Sequence, residues 1–542
     1  MNPSLQPAGE WSLPTTAATT ARPPLTAAQK LLLPLGVVLF DWLFWRERGG
    51  VNMLVFNVFV VVAQLMQLPR HAAARRSGYF WLMAFGSLLS GVFMAMYGSA
   101  VAALACGVSV VLLLGYANQP SLKLLLFAAL TGLGSAAEAW LRVLRGVRAP
   151  RPAGAGVRRS WFYGRLLLVP LGILGAFHLL FAVANPVYAR LSSRVLAVLG
   201  EWLVRLLPDI SLGHLLFLLL GFAVTAAAVV AVPVYFFADQ ESHFGEFVRR
   251  QRDRVASFAV RRPDFRPKTT KALDLRKEYL VAVAVFGLVN ALLLVVNAID
   301  VRWLWFGFAP ARGFDLAQFV HEGTYVLIFS ILLAMGIVLW YFRRNLNFYA
   351  PGLRALRWGA TVWVLQNAVL AVSVGLRNYY YILNCGVAYK RIGVCFFLLL
   401  VFFGLATVLG KIWQQRSAYS LVRLNSLAVY AVLLLLAAGN WEVWMTEYNL
   451  QPRFRSVDIG FLLDMPDRTL PTLLARRGVL NHTTQLTVNA EYGIPSVIDA
   501  PEAQRRLDLA VVAARANYAE YSHWQGFTWA DYEAAQQLGG RE

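Results

Sequence analysis

The chain has 542 residues, 58% of them hydrophobic and 15% charged, with a mean hydropathy of +0.54. It is too apolar for a water-soluble globule and too long for a single core, so a bilayer must serve as its solvent. The formal net charge of +21 does not point to nucleic acid. The excess lies in short loops beside apolar runs, where the positive-inside rule collects it, and no basic-aromatic binding face is visible.

Residues 1–30 are rich in Pro, Thr and Ala and read as a disordered tail. The apolar run that follows contains Asp41 and no small-x-small cleavage site, so it is expected to remain attached as a first anchor. A helix crossing the hydrocarbon needs around twenty apolar residues, because only internal hydrogen bonds satisfy its backbone there. Runs of that kind fall at about 31–45, 51–68, 79–97, 99–116, 121–141, 165–185, 212–237, 278–299, 318–342, 358–376, 393–413 and 423–444. The expected fold is therefore all-α: a polytopic transmembrane bundle of about twelve spans with a small helical extramembrane domain at the C-terminus. The first run is short, and the fifth is interrupted by Thr131, Gly132, Gly134, Ser135 and Glu138.

Lys and Arg orient the chain. Loop 238–277 carries eleven, 142–164 six and 343–357 four, against two in 300–317. The rich loops are expected in the cytoplasm, which puts 186–211, 300–317, 377–392 and the tail outside. Segment 69–78, with Arg70, Arg75 and Arg76, also reads as cytoplasmic, yet three candidate spans separate it from 142–164. Either the fifth segment is re-entrant or one loop breaks the rule.

In 188–207, Leu191, Val195, Val198, Trp202 and Leu206 recur at helical spacing opposite Arg190, Arg194, Glu201 and Arg205, the pattern of a helix in the interface or of an amphipathic connector. The basic loop 238–277 interleaves Phe244, Phe247, Val255 and Phe258 with Arg, which suits either anionic lipid headgroups or solvent. After Glu442 the apolar runs stop. Residues 445–542 hold nine Arg, no Lys and twelve Asp or Glu, with prolines as breakers and a helical composition over 503–519. The organisation expected is thus a tail (1–30), N-terminal spans (31–160), a transmembrane core (161–444) and an extramembrane domain (445–542).

Ionisable groups inside a bilayer are costly and so are functional candidates. Asp41, Glu138 and His178 read most simply as partnered structural groups. A denser set falls on the expected outer face: His321 and Glu322 entering one span, Glu442 and Glu447 ending the last, and Arg377, Tyr379, Tyr380, Tyr381, Lys390 and Arg391 between two spans. Arg binds phosphate bidentately and Tyr stacks on rings, so these residues suit an anionic headgroup, a lipid-linked carrier or a glycan. An interfacial belt of Tyr anchors and snorkelling cations explains the same pattern. Neighbouring helix positions point about 100° apart, so His321 and Glu322 cannot both face one partner squarely. Cys106, Cys385 and Cys395 form no CxxC pair and have no His at ligand spacing. No catalytic residue, metal or cofactor is expected, and Asn290, Asn297, Gln366, Asn367 and Asn425 read as interhelical glue.

The runs AQFVHEGTYVLIFSILLAMGIVLWYFRRNLNFY (317–349), LRNYYYI with YKRIGV (376–394), GLATVLGKI (404–412) and NWEVWMTEYNL (440–450) resemble the bacterial membrane proteins grouped as domain of unknown function 4173, related to group 4153. The resemblance covers about residues 160–525 and implies a multi-span inner-membrane protein with a helical tail. It brings no substrate, cofactor or catalytic residue. The reading is a transporter-like or scaffold envelope protein with an anionic or glycan-linked ligand on its outer face. The alternatives are an intramembrane transferase or flippase, with His321 or Glu322 as base and Arg377, Lys390 and Arg391 on phosphate, or a sensor or assembly factor.

Overall fold

The computed structural model describes residues 25–69, 71–146, parts of 174–197, 211–250, 272–306, 316–343, 345–454, 456–483, 485–489, 495–520 and 523–539. Its long helices are α1 (Ala27–Phe44), α2 (Val51–Gln67), α3 (Gly78–Tyr97), α4 (Ala100–Asn118), α5 (Leu125–Gly146), α6 (Leu212–Val229), α7 (Ala272–Asp300), α8 (Leu316–Tyr341), α9 (Leu353–Cys385), α10 (Tyr389–Gln414) and α11 (Ala418–Ala437). The fold is all-α and polytopic. Among the described residues, eight helices are long and apolar enough to cross a membrane: α1, α3, α4, α6, α7 with its π-helical extension, α9, α10 and α11. Helix α2 and the Val326–Tyr341 part of α8 are shorter apolar helices. The expected span at 121–141 is α5, whose apolar run is cut by Glu138 and Arg142. The one at 165–185 lies mostly outside the described residues, as does most of the amphipathic stretch 188–207.

Contacts divide the chain into two compact units, Met1–Val38 with Ala136–Val230, and Leu39–Ser135 with Ala231–Glu542. In the first, the Ser211 side chain accepts from His214 N to cap α6, and Gln29 Nε2 donates to Val229 O at the far end of that helix. His178 is not isolated, since its Nδ1 lies 3.1 Å from the Tyr188 hydroxyl.

The second unit is held by polar side chains that meet across apolar helices. Asn290 Nδ2 donates to Gly359 O, Gln366 Nε2 to Asn290 Oδ1, and Asn297 Nδ2 to Gln366 O, which ties α7 to α9. Asn425 Nδ2 donates to Thr407 Oγ1 between α11 and α10. In a medium without water such bonds replace the hydrophobic effect that would drive helices together in solution. Small residues add close packing: a Cβ on Gly115 would stand 1.9 Å from Ala128 O, so α4 and α5 approach backbone to backbone.

The connections gather at two ends. At one, the Glu241 carboxylate accepts from Lys123 N, Leu124 N and the Tyr419 hydroxyl, Val248 N donates to Gln415 O, and Gln415 Nε2 donates to Asn347 O. Loops 119–124, 236–250, 345–352 and 414–419 therefore lie together. At the other end, Gly98 at φ +59° stops α3 and Ser99 caps α4 by accepting from Ala102 N, which makes a two-residue hairpin. The tail docks at that end, with Val51 N donating to Phe527 O and Trp42 packed on Trp524 at 5.3 Å.

The tail begins with α12 (Trp441–Asn449) and includes α13 (Ala500–Glu520) and α14 (Trp529–Gln537). It also holds a small sheet that helical composition did not suggest: β1 (Ser456–Asp458) runs parallel to β2 (Gln485–Asn489), which pairs antiparallel with β3 (Pro495–Ile498). Val457, Leu486, Leu470 and Leu507 form a core with Met445 of α12, against which Val387 and Ile392 at the start of α10 pack.

Candidate functional site

The residues expected on the outer face separate into three groups. His321 and Glu322 belong to α8, but their side chains lie outside the described residues. Arg377, Tyr379, Tyr380 and Tyr381 are not in a loop: α9 continues to Cys385, where Gly386 at φ +76° ends it. The helix can carry Arg377 inward because Asp300, the last residue of α7, meets its Nη2 at 2.8 Å with both side chains buried. Tyr380 donates to Leu304 O. Tyr379 is exposed, and Tyr381 is buried under the Arg391 guanidinium, 4.0 Å from the ring centroid. Arg391 also donates to Cys385 O and Gly386 O, closing the α9–α10 turn, whereas Lys390 is exposed. The structure thus joins Arg391 to Tyr381 and gives Arg377 to Asp300.

One turn away lies a cavity of about 870 Å³, lined from both membrane helices and tail. Its floor is the α3–α4 hairpin and the first turn of α10, with Met94, Ser99, Val101, Tyr389 and Ile392. Leu436, Trp441 and Glu442 form one side, and Asp467, Arg468, Tyr518 and Asp531 of the tail form the roof. Arg468 is 6% exposed. Its Nη2 lies 3.4 Å from Glu442 Oε1 and its Nη1 3.9 Å from Asp531 Oδ1. Arg468 Nε, Glu442 Oε2 and the Tyr518 hydroxyl are buried with no hydrogen-bond partner. Burial, and then the carboxylates of Asp531 and Asp467, push the Tyr518 phenol above its ordinary range, so it stays a neutral donor.

Buried polar atoms that remain unpaired cost free energy, and here three of them belong to residues lining one cavity large enough for a ligand head. The sequence pointed to Glu442 alone. Arg468, Tyr518 and Asp531 sit in a hydrophilic tail where Arg and Asp are unremarkable, and only the fold reveals that they are buried. A smaller cleft of about 180 Å³ lies beside Arg391, Asn449 and Asp458. Among the described residues no group of three or more His, Cys, Asp or Glu is placed to hold a metal ion.

No curated protein and no solved structure matches the chain. Residues 80–475, which include Glu442 and Arg468, match the family model described as a domain of unknown function, DUF4153, and the chain belongs to that family.

Proposed function

We propose that the protein is a multi-pass protein of the bacterial inner membrane that binds an amphiphile with an anionic or glycan-linked head at its tail-covered, extracytoplasmic end, as a scaffold or transporter-like protein. The observation that carries this is Arg468: a guanidinium that cannot lose its charge is kept 6% exposed beside an 870 Å³ cavity with its Nε unpaired. A structural ion pair alone needs no such space. The resemblance to group 4173 adds a shared inner-membrane architecture to this reading.

Sidedness is supported by charge. The end away from the tail carries Arg75, Arg76, Lys123, Arg249, Arg250, Arg354, Arg357 and Arg416. Positive charge of this density stays on the cytoplasmic side, so this reading has the cavity outside. The test uses Cys385, exposed at the tail-covered end, in a background with Cys395→Ser. A membrane-impermeant maleimide is expected to label it in intact inner-membrane spheres of right-side-out orientation. Labelling only after permeabilisation overturns the sidedness. Binding is tested by mass spectrometry of amphiphiles that co-purify: one retained per chain in the wild type and loss in Arg468→Met are expected, and equal retention in both overturns the site.

A further inference from the structure

A second cavity, of about 710 Å³, opens between α4, α5 and α11 and is walled almost wholly by apolar side chains. On α4 its wall includes Leu104, Val108 and Val111, and on α11 Ser426, Val429 and Leu433. Val101 and Leu436, which line the tail-covered cavity, extend these rows: 101, 104, 108, 111 and 426, 429, 433, 436 each follow one helical stripe. The polar cavity and the apolar groove are therefore consecutive along the same two helix faces. From Val101 to Val111 the helix rises about 15 Å, half of a hydrocarbon core of about 30 Å, the depth of one leaflet. The groove is open to its surroundings, with Leu104 59% and Leu126 63% exposed.

The head end has both signs of charge. Arg48 and Arg468 line it with Glu442, Asp467 and Asp531. Asp467 accepts from Asn517, and Asp531 from the Thr528 hydroxyl. That leaves Arg468 Nε as a cationic donor and Glu442 Oε2 as an anionic acceptor. A head with negative charge alone would meet three carboxylates, and an uncharged one would bring no opposite charge to the unbonded Arg468 Nε and Glu442 Oε2 atoms.

We propose that the two cavities together hold one zwitterionic aminophospholipid from the tail-side leaflet, with its phosphate at Arg468, its primary ammonium at Glu442 and an acyl chain in the α4–α11 groove. This rests on the reading that the tail-covered cavity takes an amphiphile, and it names the class. Phosphate oxygens match the guanidinium, and an ammonium supplies N–H donors to a carboxylate. Tyr518 offers a further donor to the phosphate.

The full-length protein is incorporated into vesicles of equal parts phosphatidylethanolamine and phosphatidylglycerol, re-extracted in mild detergent, and its retained lipid quantified. About one phosphatidylethanolamine per chain is expected, in preference to phosphatidylglycerol. Glu442→Gln is expected to reduce that preference tenfold or more, the scale of one charge-assisted hydrogen bond. A parallel experiment with phosphatidylcholine, whose quaternary ammonium cannot donate, needs no variant and should show the same loss. Gly107 lies in the groove wall, and a Cβ added to it would meet nothing within 4 Å. Gly107→Trp should therefore fill the groove and lower retention of every lipid with an unchanged melting temperature. Preference for phosphatidylglycerol, or indifference to phosphatidylcholine, overturns the aminophospholipid while binding itself stands. Full retention in Gly107→Trp overturns the groove. No retained lipid in the wild type overturns both this proposal and the binding reading.

Discussion

Arg377 and Asp300 form a buried pair between α9 and α7, with Arg377 Nη2 2.8 Å from Asp300 Oδ1. Removing one partner strands the other charge in an apolar environment. Arg377→Ala is expected to destabilise the protein by about 3–5 kcal/mol, and Arg377→Met with Asp300→Leu to recover most of it. Thermal denaturation in detergent measures both. A single variant as stable as wild type would show that the pair does not hold these helices.

Gly86 on α3 faces the Tyr430 hydroxyl, which would stand 1.9 Å from an added Cβ, and that hydroxyl lies 2.8 Å from Ser109 Oγ on α4. Gly86→Ala must displace a buried ring and is expected to cost about 1–3 kcal/mol. Tyr430→Phe loses one interhelical hydrogen bond, about 0.6 kcal/mol by membrane-protein measurements. Because Phe removes the colliding oxygen, the double variant should be more stable than the sum of the singles allows. Strict additivity in melting experiments would disprove the contact.

Tyr518 gives the pH dependence. Its phenol is raised in the folded tail by burial and by Asp531 and Asp467, whereas the unfolded chain ionises it near pH 10. Above that pH the unfolded state has lost a proton that the folded state retains, so the contribution is full below about pH 10 and declines as pH rises further. Stability measured from pH 8 to 11 should fall more steeply in wild type than in Tyr518→Phe. Parallel curves would mean that the hydroxyl is not buried.

Gly50 seats the tail. A Cβ there would stand 2.5 Å from Phe527 O and 2.6 Å from Gly526 C, both backbone atoms that cannot swing away. Gly50→Val is expected to undock residues 524–531, seen as new proteolytic cleavage near Trp524 with the membrane helices intact. An unchanged cleavage pattern would remove the seat.

The spans were legible because hydrocarbon imposes length and apolarity on any helix that crosses it: α3, α4 and α10 lie within a few residues of their expected bounds, whereas α11 ends at Ala437, short of the expected 444, where Gly439 and Asn440 precede the separate helix α12. Asn290, Gln366 and Asn425 were legible as glue for the same reason. The end of α9 was not. Arg377 and three tyrosines read as a loop until Asp300, remote in sequence, neutralises the charge and lets the helix continue. Nor was the cavity roof legible. Hydropathy marks the tail as water-soluble, but burial of Arg468 depends on where the chain folds back, and no local pattern encodes that. The strands at Ser456–Asp458 and Gln485–Asn489 are too short for a two-residue alternation to stand out.

Val51 N donates to Phe527 O, and this pairing spans nearly the whole polypeptide. The first half of the seat enters the bilayer while the ribosome is still building the helices between, and its counterpart emerges only when most of the chain has been inserted. Until then the pocket at Met94 and Ser99 lacks the roof that Arg468, Tyr518 and Asp531 supply. If the pocket takes a lipid as proposed, a molecule already inside when the late segment docks is held there, and its identity then reflects conditions during biogenesis as well as affinity afterwards.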